Sequence, residues 1–243
     1  MTIRQVFSVV LVTAVAAGCG ASSPTTPEVP EAVVTPDPEP DPEPEPEPDP
    51  VARYVVTFDS TWSQASHPDD WPADAHYSGL IGGTHSRRVS FWQEGMPASP
   101  GIQLMAEKGR KSPLDQEVTA AVAAGDAEFL LSGDALSDSP GSVSLEFTIG
   151  VNFPLVTLVT MVAPSPDWFV GVSGLPLLVD GQWADEVVVT LYPWDAGTDS
   201  GITYEAENFE TVPAQPISRL LGFPVAVNGV VAPFGTMTFR RIK

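Results

Sequence analysis

Pro164-Ser165-Pro166-Asp167-Trp168-Phe169-Val170-Gly171-Val172 and Tyr192-Pro193-Trp194-Asp195-Ala196-Gly197-Thr198-Asp199-Ser200-Gly201 bracket a mostly apolar run, Leu175 to Leu191, broken by a single turn. The run reads as strands, so the two polar blocks are loops at strand ends. Loops held on a rigid sheet are where binding and chemistry concentrate. Three acids stand in them: Asp167, Asp195 and Asp199. Pro193, Gly197 and Gly201 favour a tight loop in which Asp195 and Asp199 can converge. The residues alone leave two readings open. Either the acids cap turns, as Asp often does, or they gather around a hard cation. Gathered carboxylates repel one another, which raises a pKa or recruits a cation. Oxygen donors suit calcium, which takes about 6–8 of them at about 2.3–2.6 Å. Neither block holds a Cys or His, which disfavours zinc. The spacing is not an EF-hand: counted from Asp195, Ser200 and Ala206 fall where that loop needs its glycine and its glutamate.

Outward from these blocks the chain continues in short strand-like segments separated by Gly, Pro, Ser and Asp. Arg53–Phe58, Val89–Trp92, Ile102–Ala106, Val143–Ile149, Leu155–Val162, Phe169–Val172, Val187–Leu191 and Thr236–Arg240 are the predicted strands. One helix is predicted over Leu114–Ala124, with Ser112 as cap, Pro113 in its first position and Gly125 as its stop. Many short strands with one or two short helices make an all-β fold, an antiparallel sandwich spanning 53–243.

The two blocks resemble the signature of the spondin domain family. The resemblance extends through His67-Pro68, Ala75-His76-Tyr77-Ser78, Leu80-Ile81-Gly82, Thr84-His85, Trp92 with Gly95, Ala106-Glu107, Gly109 and Thr160-Met161-Val162. It covers roughly residues 53 to 240. The resemblance implies a β-sandwich that holds Ca2+ with the aspartate of the first block and the two of the second, here Asp167, Asp195 and Asp199. It also implies an extracellular binding or adhesion module. Animal members of the family carry thrombospondin repeats and some contact integrins. This sequence has no such repeat and a single cysteine, Cys19, so the animal partners do not transfer directly.

The amino-terminal 52 residues have a different character. Arg4 followed by the apolar stretch Val6–Ala17 is too short for a membrane span of about 20 residues and fits a signal peptide over 1–18. It ends Val15-Ala16-Ala17-Gly18-Cys19, which resembles the lipobox of bacterial lipoproteins and makes Cys19 the expected lipidation site. An ordinary signal peptide with an incidental cysteine is the alternative. Gly20 rather than Asp after the cysteine implies, by the same resemblance, the outer membrane. From 19 to 52 the chain reads as an acidic, proline-rich linker: between Ala21 and Pro50 stand eleven prolines, nine acids and no Lys or Arg. Such a segment is expected to be extended and self-repelling.

Charge narrows the partners. The chain carries −20. With the nine linker acids and Arg4 set aside, 22 acids still face 10 bases, a charge of −12. Nucleic acid and anionic membrane surfaces are therefore poor partners, and membrane association is expected through the lipid anchor alone. An extracellular protein or glycan is the expected ligand. His67, His76 and His85 lie nine apart, outside the usual metal-pair spacings, and are expected to pin loops by hydrogen bonds. Pro68, Pro72 and Gly82-Gly83 between them read as loop markers. Asp69, Asp70 and Asp74 read as solvated, Glu107 as a hydrogen-bonding carboxylate, and Trp62, Trp71, Trp92, Trp168, Trp183 and Trp194 as packing residues. Trp194 is expected to shield the Asp195 loop. No nucleophile or nucleotide motif is present, so the sequence points to a non-enzymatic module. The alternative is an envelope polysaccharide hydrolase using Asp195 and Asp199 as a carboxylate pair.

Overall fold

The computed structural model of the chain describes residues 47–242. The expected signal peptide, Cys19 and most of the linker lie outside those residues. Alternation decides the first strand. In β1 (Val51–Ser60) Ala52, Tyr54, Val56, Phe58 and Ser60 are all buried and the residues between them are not. That is the period of two expected of a strand with one face on a core. β1 begins two residues upstream of the expected boundary at 53, because Val51 already pairs with Gly150.

After β1 the chain forms β2 (His76–Tyr77), β3 (Ile81–His85), α1 (Pro100–Lys108), α2 (Leu114–Ala123), β4 (Ala127–Ser132), β5 (Gly141–Gly150), β6 (Leu155–Ala163) and β7 (Trp168–Pro176). A small hairpin follows, β8 (Leu178–Val179) with β9 (Gln182–Trp183), then β10 (Glu186–Leu191), β11 (Trp194–Asp195) and β12 (Ser218–Arg219). A second hairpin, β13 (Ala226–Val227) with β14 (Val230–Val231), precedes the closing strand β15 (Gly235–Ile242). One sheet has the order β10-β15-β1-β5. The other has the order β12-β11-β7-β6-β3-β4, with β2 added beside β6. Every pairing is antiparallel, as expected.

The two sheets enclose a core of Tyr54, Val56, Phe58, Phe147, Phe239, Val156, Leu158 and Val170 with Trp62 and Trp168. Each fully buried aliphatic or aromatic side chain of this kind contributes about 1.5–3 kcal/mol relative to exposure. β6 is buried along its whole length. Its other face meets α1 and α2 through Val159, Met161, Ile102, Met105 and Val118, so the sandwich has a helical third layer on one side. Two-sided cover is why this segment is apolar without alternation.

Four expectations need correction. Ile102–Ala106 is not a strand but the middle of α1. Ser99 accepts the Ile102 amide at 3.2 Å, Pro100 opens the helix, and Gly109 closes it in the left-handed conformation. Its apolar residues Ile102, Met105 and Ala106 follow helical spacing onto β6. Val89–Trp92 is irregular: Phe91 and Trp92 turn into the second core instead of pairing. α2 starts as expected, but its cap position is Pro113, without a side-chain bond, and Ser112 Oγ instead accepts from Gln116 Nε2. Gly82 and Gly83 are not loop markers. They lie in β3, where a Cβ on Gly82 would come within 2.0 Å of the Thr157 carbonyl oxygen. Close backbone approach, not a turn, requires glycine there.

Candidate metal centre

β11 brings the acids together. Pairing places Asp195 opposite Trp168 and Trp194 opposite Phe169, so Asp195 sits one residue away from Asp167 across the ladder. The Ala196 amide donates to the Asp167 carbonyl at 3.1 Å. The chain then turns through Gly197, whose φ is +76 and where a Cβ would stand 2.2 Å from the Gln215 carbonyl oxygen. A residue with a side chain could take neither that conformation nor that space. The turn folds Thr198 and Asp199 back over Asp167.

The Asp167 carboxylate is fully buried. Its Oδ2 accepts the Thr198 amide at 2.7 Å, the Thr198 hydroxyl at 3.1 Å and the Asp199 amide at 3.1 Å. Its Oδ1 has no partner. Asp195 Oδ1 accepts the Gly197 amide at 2.6 Å. Asp199 closes the far side of the loop: Oδ1 accepts from Gly201 at 2.8 Å and Oδ2 from Phe209 at 3.1 Å. Both of its oxygens are thus clamped by backbone, which suits a loop tie better than a proton-transferring acid.

Electrostatics follow from that placement. Burial, and next the Asp195 charge, push the Asp167 carboxyl from 3.8 up to about 7, despite the bonds from Thr198 and Asp199. Asp195 is also raised, by burial first, with the Asp199 charge adding to it and the Gly197 bond opposing. A buried carboxylate oxygen with no donor, beside a second carboxylate, is a place where a positive charge lowers the energy. The donors are all oxygen, which fits a hard cation and not zinc. Among the described residues no group of three or more His, Cys, Asp or Glu side chains is gathered into a ready metal site. The nearest approach to one is the Asp167–Asp195 pair, with Asp199 beside Asp195 in the same loop.

The remaining sequence candidates are structural. His67 is buried between Ser66 Oγ at 2.9 Å and the Ala232 carbonyl at 3.3 Å. His85 lies 2.8 Å from Thr157 Oγ1 and 2.9 Å from the Ser86 carbonyl. Burial lowers both imidazoles below their ordinary pKa; His67 ties one loop to another, and His85 ties β3 to β6. His76 Nδ1 lies 2.7 Å from the Asp74 carbonyl and 3.7 Å from its carboxylate. Asp69 and Asp74 are exposed, whereas Asp70 accepts the Tyr204 amide at 2.8 Å. Glu107 accepts from Gln103 at 2.8 Å along α1. Trp194 is covered by Arg219, whose guanidinium carbon lies 3.9 Å from the ring centroid. Sequence reasoning missed Glu117, which takes Ser99 Oγ and the Gly101 amide, each at 2.7 Å, and so closes the start of α1 from α2. Its only signal was an acid, one of two with Asp115, in the first turn of a predicted helix.

The Spondin_N family model matches residues 52–226. The chain is similar to Spondin-2 of Rattus norvegicus, 37% identical over 174 residues that make up 70% of this chain and 53% of that protein. It is 36% identical over 174 residues to Spondin-2 of Homo sapiens, with the same shares. It is 39% identical over 179 residues to Spondin-1 of Rattus norvegicus, covering 70% of this chain and 22% of that protein. The chain thus spans about half the length of the Spondin-2 relatives and about a fifth of Spondin-1.

Proposed function

The chain belongs to the Spondin_N family, and from that membership we propose that it is an exported, lipid-anchored, calcium-binding module that recognises an extracellular ligand and catalyses no reaction. The observation that carries the metal part is the unpartnered, buried Oδ1 of Asp167 beside Asp195. Asp167 through that oxygen, Asp195 and Asp199 would hold Ca2+, with carbonyls and water completing the shell. The ion would replace repulsion between buried charges with attraction and so stiffen the two strand-end loops. The signal-like segment before Cys19 and the acidic proline-rich stretch after it support display of the domain outside the cell membrane, where a binder meets its ligand.

Two measurements test this reading. Calcium is titrated into the protein while the melting temperature is followed; a saturable rise supports the site, and a flat response removes it. Acyl-chain labelling of the wild type and of Cys19→Ala tests the anchor. Label is expected on the wild type and lost in the variant; equal label on both would place the lipid elsewhere.

A further inference from the structure

A cavity of about 600 Å³ opens between β7 and β10, lined by Gly171–Pro176 on one side and Val189–Leu191 on the other. A second hollow of about 560 Å³ is lined by Leu220, Leu221, Val230 and Val231. Tyr192 and Arg219 border both, so the two hollows adjoin as one groove, with Arg219 where they meet. β10 is the edge of its sheet: β15 pairs one side of it, and no strand pairs the other among the described residues. Pockets of this size are those that hold a short segment of ligand.

The arginines set the chemistry. Arg53, Arg88, Lys108, Arg240 and Arg241 each reach a carboxylate. Arg87 and Arg219, which both line the cavity, make no ion pair among the described residues, in a chain with 31 acids and 11 bases. Glu94 lines it too and pairs with neither. Arg219 is exposed, and its guanidinium lies over Trp194 at 3.9 Å and near Tyr192 at 5.5 Å. Stacking fixes the plane of the guanidinium and leaves its edge donors for a carboxylate. A sugar ring would need a bare aromatic face. Trp194 and Trp92 offer none: they pack edge-to-face at 5.1 Å, both are under a tenth exposed, and Arg219 covers Trp194.

We infer that this groove binds an extended peptide segment of a partner protein, added to the open edge of β10. A Glu or Asp of that segment meets Arg219, with Arg87 nearby, and an adjacent bulky aliphatic side chain fills the Leu221–Val230 hollow. Strand addition supplies affinity through main-chain bonds, while the guanidinium and the hollow supply selectivity. The inference rests on the reading of this domain as a binding module and is independent of the metal.

The test is calorimetric titration of the full chain with the blocked peptide acetyl-Val-Leu-Glu-Leu-Val-amide, its Gln counterpart, a version N-methylated at alternate amides, and glucuronic acid. Saturable binding of the Glu peptide, at least tenfold weaker for the Gln and N-methylated forms, is expected. Arg219→Gln should erase the Glu-over-Gln preference while the melting temperature stays within a degree or two. Equal binding of Glu and Gln peptides, no binding of either, an unchanged preference in Arg219→Gln, or Arg219-dependent binding of glucuronic acid alone would each overturn the proposal. The calcium-induced melting shift is read on the same samples. Peptide failure with that shift intact removes the groove and leaves the metal reading standing; loss of both removes both.

Discussion

Two buried polar clusters occupy the same end of the sandwich, and they are solved in opposite ways. In the first, Ser60 Oγ lies 2.7 Å from Ser139 Oγ and 3.2 Å from the Tyr77 hydroxyl, and Ser139 donates to the Trp62 carbonyl at 2.7 Å. Every member is neutral and has a partner, and burial only drives the Tyr77 phenol further from ionising. In the second, Asp167 receives three donors on one oxygen and none on the other, beside a second acid. Trp62, Tyr204 and Trp168 lie between the two, with Tyr204 tilted against Trp62 at 5.3 Å and edge-to-face with Trp168 at 5.1 Å. A hydroxyl network can be closed by protein atoms alone because each group both gives and accepts. Carboxylates only accept, so two of them cannot close one another, and the oxygen that no protein donor reaches is left for a proton or a cation.

The sharpest way to break that contrast is Asp167→Asn. The amide keeps an acceptor for Thr198 and Asp199 and places a donor where Oδ1 stood. It should abolish the calcium-induced rise in melting temperature, worth about 2.7 kcal/mol at a hundredfold excess of ion over its dissociation constant. The ion-free variant should be as stable as the wild type or more so, because the repulsion from Asp195 is gone. A calcium shift that survives the substitution would show the ion sits elsewhere.

Ser60→Ala probes the other side. It strips Tyr77 and Ser139 of a shared partner and should lower stability by about 1–3 kcal/mol, by the same amount with and without calcium. If the loss shrinks when calcium is added, the two clusters are coupled through the three aromatic rings rather than independent.

Acidity separates them with a smaller effect. The folded pKa of Asp167, about 7, exceeds its ordinary 3.8. The folded state therefore holds that proton more tightly, and in ion-free protein this contribution is present at low pH and lost as pH rises from about 4 to about 7. Calcium affinity should rise over the same window as the proton leaves. His67 and His85 act in the opposite sense: their depressed pKa values give a contribution present above the ordinary 6.5 and lost as pH falls below it. Melting curves of wild type and Asp167→Asn across pH 4 to 8 should differ by the aspartate limb alone, and superimposable curves would remove the raised pKa from the account.

How far the sequence revealed this depended on whether a residue's task was set by its neighbours in the chain. β1 and β6 were legible because alternation in one and an unbroken apolar run in the other state which faces are covered. The two acidic blocks were legible because turn formers and carboxylates share a few positions. α1 was misread: Ile102–Ala106 is apolar enough for a strand, and the decisive Ser99-Pro100 and Gly109 lie outside it. β4 was overlooked because six residues containing Glu128, which bonds the Gly150 amide at 3.0 Å, show little pattern. Gly82 was assigned to a loop because its reason, the Thr157 backbone, is 75 residues away. Asp195 was placed in a loop for the same cause. Only the ladder with β7 reveals that a two-residue strand carries it.

β1 also fixes a polarity. Arg53 pairs with Ile242, so the described chain enters and leaves the domain at one pole. Trp62 stands two residues past the end of β1 and, through Tyr204 and Trp168, leads to the carboxylates at the other pole. A ten-residue strand is roughly 33 Å long. Any traction transmitted through residue 51 acts on a strand laced to β5 along its whole length and to β15 from Arg53 onward, a firm point of suspension. The acidic loops lie at the opposite pole from residue 51, where the first strand begins.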